Sequence, residues 1–184
     1  MSWADRDGRR ATRLVFALAI AGLCAGCFQP LYGTQASYDG RGGVGTAMRN
    51  VEVAEIMTPQ GTRLSRVGVE VRNELMSQIN PNGSGTHRLE IGLGSSQLQV
   101  IVDINTARPD IQNYGIDATF TLTEVATNKK VIKGQTFSRV SYDIPGQQQR
   151  FAGERGLRDA ENRAAKVIAD QIRSRLASYF AAGT

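Results

Sequence analysis

Cysteine and histidine are nearly missing from this sequence. Its 184 residues hold two cysteines, Cys24 and Cys27, and a single histidine, His87. That leaves too few ligands for a disulfide framework or for a histidine- and thiolate-built metal centre. His87 follows Gly83-Ser84-Gly85-Thr86 at a predicted strand entrance and reads as a surface residue. No serine sits in a Gly-x-Ser-x-Gly elbow. No P-loop or dinucleotide fingerprint occurs, because the glycines of 40–45 precede no strand-to-helix phosphate turn. Asp103 and Asp110 flank a loop, where they suit turn formation better than paired acid–base work. The sequence therefore reads as a non-enzyme that needs no metal and no cofactor. It also lacks a long apolar run: Leu14–Leu23 is 10 residues, where a spanning helix needs roughly 20.

That short run has a job of its own. Arg6, Arg9, Arg10 and Arg13 precede it and the small pair Ala25-Gly26 follows, the layout of an export signal. Small residues directly before Cys27 resemble the lipobox of bacterial lipoproteins, in which the cysteine thiol takes a lipid and becomes the new N-terminus. The third residue before the cut is Cys24, where leucine is usual. The resemblance implies a leader over 1–26 and an acylated Cys27, with palmitate among its chains; several chains hold where one anchors only marginally. A chain starting at Cys27 keeps 158 residues, enough for one domain that holds by its core alone. No second cysteine remains to pair. Removal of four arginines and two aspartates lowers the charge from +5 to about +3. So mild an excess does not mark a nucleic-acid protein, and it suits an anionic lipid headgroup or membrane surface.

Gly33, Gly40, Gly42, Gly43 and Gly45 make 27–47 a lipidated, glycine-rich tether. A single domain is expected over 48–184. Alternation in Asn50–Ile56 predicts a first strand. Thr58-Pro59 predicts a helix start, with Leu64, Val67, Val71, Leu75 and Ile79 as its apolar stripe and Asn80-Pro81-Asn82-Gly83 as its stop. Leu89, Ile91 and Leu93 alternate, and then the apolar phase switches to Leu98, Val100 and Val102; a β-bulge at Gly94-Ser95-Ser96 is the expected cause. After a turn over Asn105–Asp110, Ile116, Ala118, Phe120 and Leu122 alternate with Asp117, Thr119, Thr121 and Thr123, the clearest half-buried strand. A hairpin over Ala126–Lys130 returns to a strand with Thr136, Ser138, Val140 and Tyr142 on one face, and Pro145-Gly146 stops it. A helix from Gly153 to Phe180 closes the chain, with Leu157, Ala160, Ala164, Ile168, Ile172, Leu176 and Phe180 buried. The expected fold class is α+β: a small, mostly antiparallel four-stranded sheet with two helices on one face, in the order β-α-β-β-β-α.

One cluster could bind. Lys129, Lys130 and Lys133 mark the hairpin, with Arg139 further along and Arg88 on a neighbouring strand. Such a group suits phosphates, which lysine meets as a point charge and arginine as a fork. It equally suits a solubilising hairpin tip.

Cys27 followed by Phe28-Gln29-Pro30-Leu31-Tyr32-Gly33 resembles the mature start of the LptE family of lipopolysaccharide-assembly lipoproteins, although the glycine common after the cysteine is missing. The order of elements is similar too. The resemblance implies an outer-membrane lipoprotein that plugs and helps assemble the LptD β-barrel and binds lipopolysaccharide on its way to the surface. Its partners would be an LptD-like barrel, lipopolysaccharide and, through the anchor, the membrane. It would face the periplasm or sit inside the barrel lumen. By topology alone, Lys129, Lys130, Lys133, Arg139 and Arg88 would form the lipid site. An auxiliary lipoprotein of an ABC-type lipid transporter, or a tethered periplasmic binding domain, are the alternatives.

Overall fold

Period-two alternation needs a sheet with one wet face, and that is what forms. A computed structural model describes residues 43–79, 85–102, 109–144 and 150–182. The leader, Cys27, most of the tether and the turns at 80–83, 103–108 and 145–146 lie outside those residues. The described elements are α1 (Val44–Arg49), β1 (Val51–Val53), α2 (Arg63–Ile79), β2 (His87–Val102), β3 (Pro109–Glu124), β4 (Lys129–Asp143) and α3 (Arg150–Ala181). The four strands lie in the order β1-β2-β3-β4. The pair β1/β2 is parallel, joined through the crossover helix α2. The other two pairs are antiparallel.

Both long helices cover the same face. Leu89 and Ile91 of β2, and Ile116, Ala118, Phe120 and Leu122 of β3, are buried beneath them. From the helices come Val67, Val71, Leu75 and Ile79 of α2 and Leu157, Ala160, Ile168, Ile172 and Leu176 of α3. Each fully buried aliphatic side chain contributes about 1.5–3 kcal/mol. The α3 stripe is wider than its leucines and isoleucines suggest: Ala165, Ala169 and Ala177 are buried too, whereas Phe180 is half-exposed. Small side chains let the helix lie close against α2 and the sheet.

Four expectations are corrected. The first strand is shorter than Asn50–Ile56. The helix begins at Arg63 rather than at Thr58-Pro59: the Thr62 hydroxyl accepts from the Ser65 N–H at 3.2 Å and donates to the Pro59 carbonyl at 2.7 Å. Residues 54–59 form neither helix nor strand, and Ile56 lies against Gly68, where an added Cβ would come 3.5 Å from its methyl. Positions 44–47, read as tether, are helical and held by buried Met48. Finally, β2 and β3 pair without interruption from His87–Glu124 to Gln99–Gln112, so no bulge occurs at 94–96; the register shifts only after Gln99. The phase switch in β2 has another cause. Leu98 lies on the open face, 67 % exposed.

Two contacts generate predictions. Gly134 opposes Phe120, and a Cβ on it would sit 2.5 Å from the ring. Gly134→Val is therefore expected to lower the urea unfolding free energy by about 1–3 kcal/mol, and Phe120→Leu in the same chain is expected to recover part of that loss. Glu161 is 1 % exposed and pairs with Arg66 of α2. Arg66→Ala strands a buried carboxylate and is expected to destabilise by about 3 kcal/mol, the low end for such a pair because the arginine is partly solvated. Glu161→Met together with Arg66→Met is expected to come close to wild type in the same unfolding measurement.

Candidate functional site

The β3–β4 hairpin turns through Val125–Asn128, with Asn128 in the left-handed region at φ 52°. The Thr127 hydroxyl donates to Glu124 Oε2 at 2.5 Å. Just inside the turn the register slips: Thr123 opposes Lys130 while Leu122 opposes Ile132, which leaves Val131 as the extra residue. That slip decides where the lysines stand. One cross-strand row on the open face reads Glu52, Arg88, Thr123, Lys130, and a second reads Glu90, Thr121, Lys133. Lys129 opposes Glu124 and, beyond it, His87, a row on the helix side.

Among the expected site residues, the structure thus brings Arg88, Lys130 and Lys133 onto one face at the hairpin end. Arg88 is shared with Glu52, 3.4 Å away. The three lysines make no ion pair among the described residues, so their charge is available. Arg139 is elsewhere. It lies six residues along β4 from Lys133, about 20 Å at strand spacing. It forks onto Asp117 at 2.9 and 3.1 Å and donates to the Ile116 and Ser138 carbonyls at 3.2 and 3.0 Å. Gly115 opposite makes room for it, since a Cβ there would meet Arg139 Cδ at 2.9 Å. Its guanidinium also stands 5.5 Å from the Phe137 ring centre. Arg139 is a strap across the sheet with its charge already matched. Cys27 lies outside the described residues.

The rest of the open face is mostly polar. Gly92, Gly94, Asp117, Thr119, Gln135 and Phe137 line a shallow trough of about 610 Å³. Phe137, 65 % exposed, is its one aromatic. Sequence reading missed the trough. Two glycines in one strand were the available signal.

His87 stands at the start of β2, against the end of α3. Its ring meets Phe180 edge-on at 5.3 Å, and its Nδ1 is 3.0 Å from the Thr86 hydroxyl. Burial lowers its pKa below the usual value, with Glu124 pulling weakly the other way. Burial likewise pushes the Tyr142 phenol up. No group of three His, Cys, Asp or Glu among the described residues could hold a metal.

Comparison with known proteins narrows the reading. A putative lipoprotein from Caulobacter crescentus CB15 superposes with a TM-score of 0.60 at 20% identity, over 77% of this chain and 97% of that one. At that identity it shows the fold alone. Rare lipoprotein B from Shewanella oneidensis gives 0.49 at 14% identity, over 70% and 92% of the two chains. A minor lipoprotein from Acinetobacter baumannii gives 0.47 at 11%, over 71% and 92%. No curated protein matches the chain. The family model for LptE, described as lipopolysaccharide-assembly, matches residues 48–176, which take in β1 through most of α3. With that match over well more than half of its length, the chain belongs to the LptE family of lipopolysaccharide-assembly proteins.

Proposed function

We propose that this protein is an outer-membrane lipoprotein that binds lipopolysaccharide and serves as the plug and assembly partner of an LptD-like β-barrel. The observation that carries this reading is the family match across the whole sheet and both long helices. Residues 1–26 act as the leader, Cys27 carries the acyl chains, and the stretch before α1 connects anchor and domain. No described helix is long and apolar enough to cross a membrane, so the lipid supplies the attachment. The protein works by binding, without catalysis.

Two features of the domain suit that role. A plug must meet a lumen lined with polar side chains. The open sheet face offers Thr119, Thr121, Gln135, Ser141 and Asn113 where a second hydrophobic layer would otherwise stand. Lipopolysaccharide presents phosphates, and Lys130 and Lys133 present unpaired ammonium groups on that same face, next to Arg88.

Mild-detergent purification of the tagged full chain from its native membranes tests the plug. One large outer-membrane β-barrel protein is expected in near-equal amount by mass spectrometry. Lipid-transporter subunits in its place, or no partner at all, would overturn the reading. A second test addresses the lipid. Lys130→Glu with Lys133→Glu is expected to weaken lipopolysaccharide binding about three- to tenfold and to flatten its salt dependence, the scale of a few exposed charge contacts. Arg139→Gln, which removes a charge already matched by Asp117, is expected to change binding less than twofold.

A further inference from the structure

The two edges of the sheet are treated differently. Along β4 the edge is guarded. Lys129, Lys130 and Lys133 cluster at one end, Val131 breaks the ladder, and Arg163 of α3 donates to the Ser141 carbonyl at 3.3 Å. Along β2 the edge is bare. β1 covers only His87–Leu89, and the Ala54 N–H reaches the Leu89 carbonyl at 3.0 Å. From Glu90 onward nothing among the described residues pairs with that edge. Its backbone is regular up to Gln99, where the register with β3 first shifts. This is a regular stretch of strand, unpaired on that edge among the described residues, with no proline and one charge, Glu90.

Its side chains fit themselves. On the open face the stretch reads Glu90, Gly92, Gly94, Ser96, Leu98, vacant at one end and carrying an exposed leucine at the other. We propose that this edge pairs with the same edge of a second copy of the chain, antiparallel and centred on Ser95. In that register Leu98 of each copy stands opposite Gly92 of the other, and Ser96 opposite Gly94. On the helix side Ile91 meets Gln99 and Leu93 meets Gln97. No two acids oppose each other. The domain already uses the same fit internally, where the Phe120 ring occupies the space left by Gly134. Centring on Gly94 instead would set Leu98 against Glu90. Centring on Ser96 would run the ladder into the irregular stretch past Gln99. Only the Ser95 register uses the whole of 91–99. The contact is one strand wide, so the dimer is weak and depends on concentration. The inference concerns the chain free of a barrel, not the one-to-one plug, and it stands apart from lipopolysaccharide binding, because none of the hairpin cations takes part.

Cysteine cross-linking of the full chain in mild detergent tests it, with the wild-type chain as background for Cys24 and Cys27. Under oxidised glutathione, Ser95→Cys is expected to give a covalent dimer at least fivefold above Gln135→Cys on the other side of the sheet. A mixture of Gly92→Cys and Leu98→Cys chains is expected to cross-link where neither does alone. In sedimentation, the wild-type protein mass is expected to rise towards two chains with concentration, and Leu98→Lys to stay at one. Equal yields from Ser95→Cys and Gln135→Cys, a larger yield from Gly94→Cys, or capture of a different polypeptide by Ser95→Cys would each overturn the proposal.

Discussion

Burial on one face only is the constraint from which the rest of the structure follows. Helices α2 and α3 close one side of the sheet, and the residues that they cover are almost all apolar, with buried alanines along α3 itself. No element among those described covers the other side. The open face must therefore satisfy water, and it does so with threonine, serine, asparagine and glutamine in the alternate positions of the same strands. Charge follows the same division. Glu161, the buried acid between the helices, is matched by Arg66, and on the wet face Arg139 is matched by Asp117. Lys130 and Lys133, at the hairpin end of that face, have no ion pair among the described residues.

A face of this kind is chemically bland but geometrically specific. Its features come from backbone register rather than from any motif. The slip at Val131 sends Lys130 and Lys133 to one side and Lys129 to the other. A one-residue change in that bulge would invert the assignment, because side chains alternate with a period of two. The same logic makes Gly115 important: it is the gap through which Arg139 reaches Asp117. A substitution there would disturb a strap that spans two strands.

The strands and helices were legible because their apolar periods are clean. Ile116–Leu122 alternates with threonine and aspartate, and Val67–Ile79 recurs at helical spacing; both segments behave accordingly. Misreadings arose where two physical causes leave the same trace. An apolar residue out of phase can mean a bulge or an exposed side chain, and Leu98 is exposed. A threonine before an apolar run can cap a helix at either of two sites, and packing of Ile56 on Gly68 holds the chain out of the helix past the first, Thr58, until Thr62. Helix α1 is six residues long and includes a glycine, too short to announce itself by periodicity. For the candidate site, the sequence named the cations but could not group them. Arg139 and the lysines share a strand, and only the length of the strand and the presence of Asp117 separate them.

The contrast between the sheet edges extends that point. Natural sheets blunt their edges because unpaired ladder groups recruit other strands. Lysines, a bulge and an arginine cap do this along β4, which shows that the chain has the means to protect an edge. The stretch from Glu90 to Gln99 has none of them, and glycine at 92 and 94 removes even steric bulk. An edge left regular, with a single charge and with glycine at two of its open-face positions, costs stability, since strand glycines order more backbone entropy and pack nothing. Such a cost in the middle of a long strand is coherent if another backbone comes to rest there.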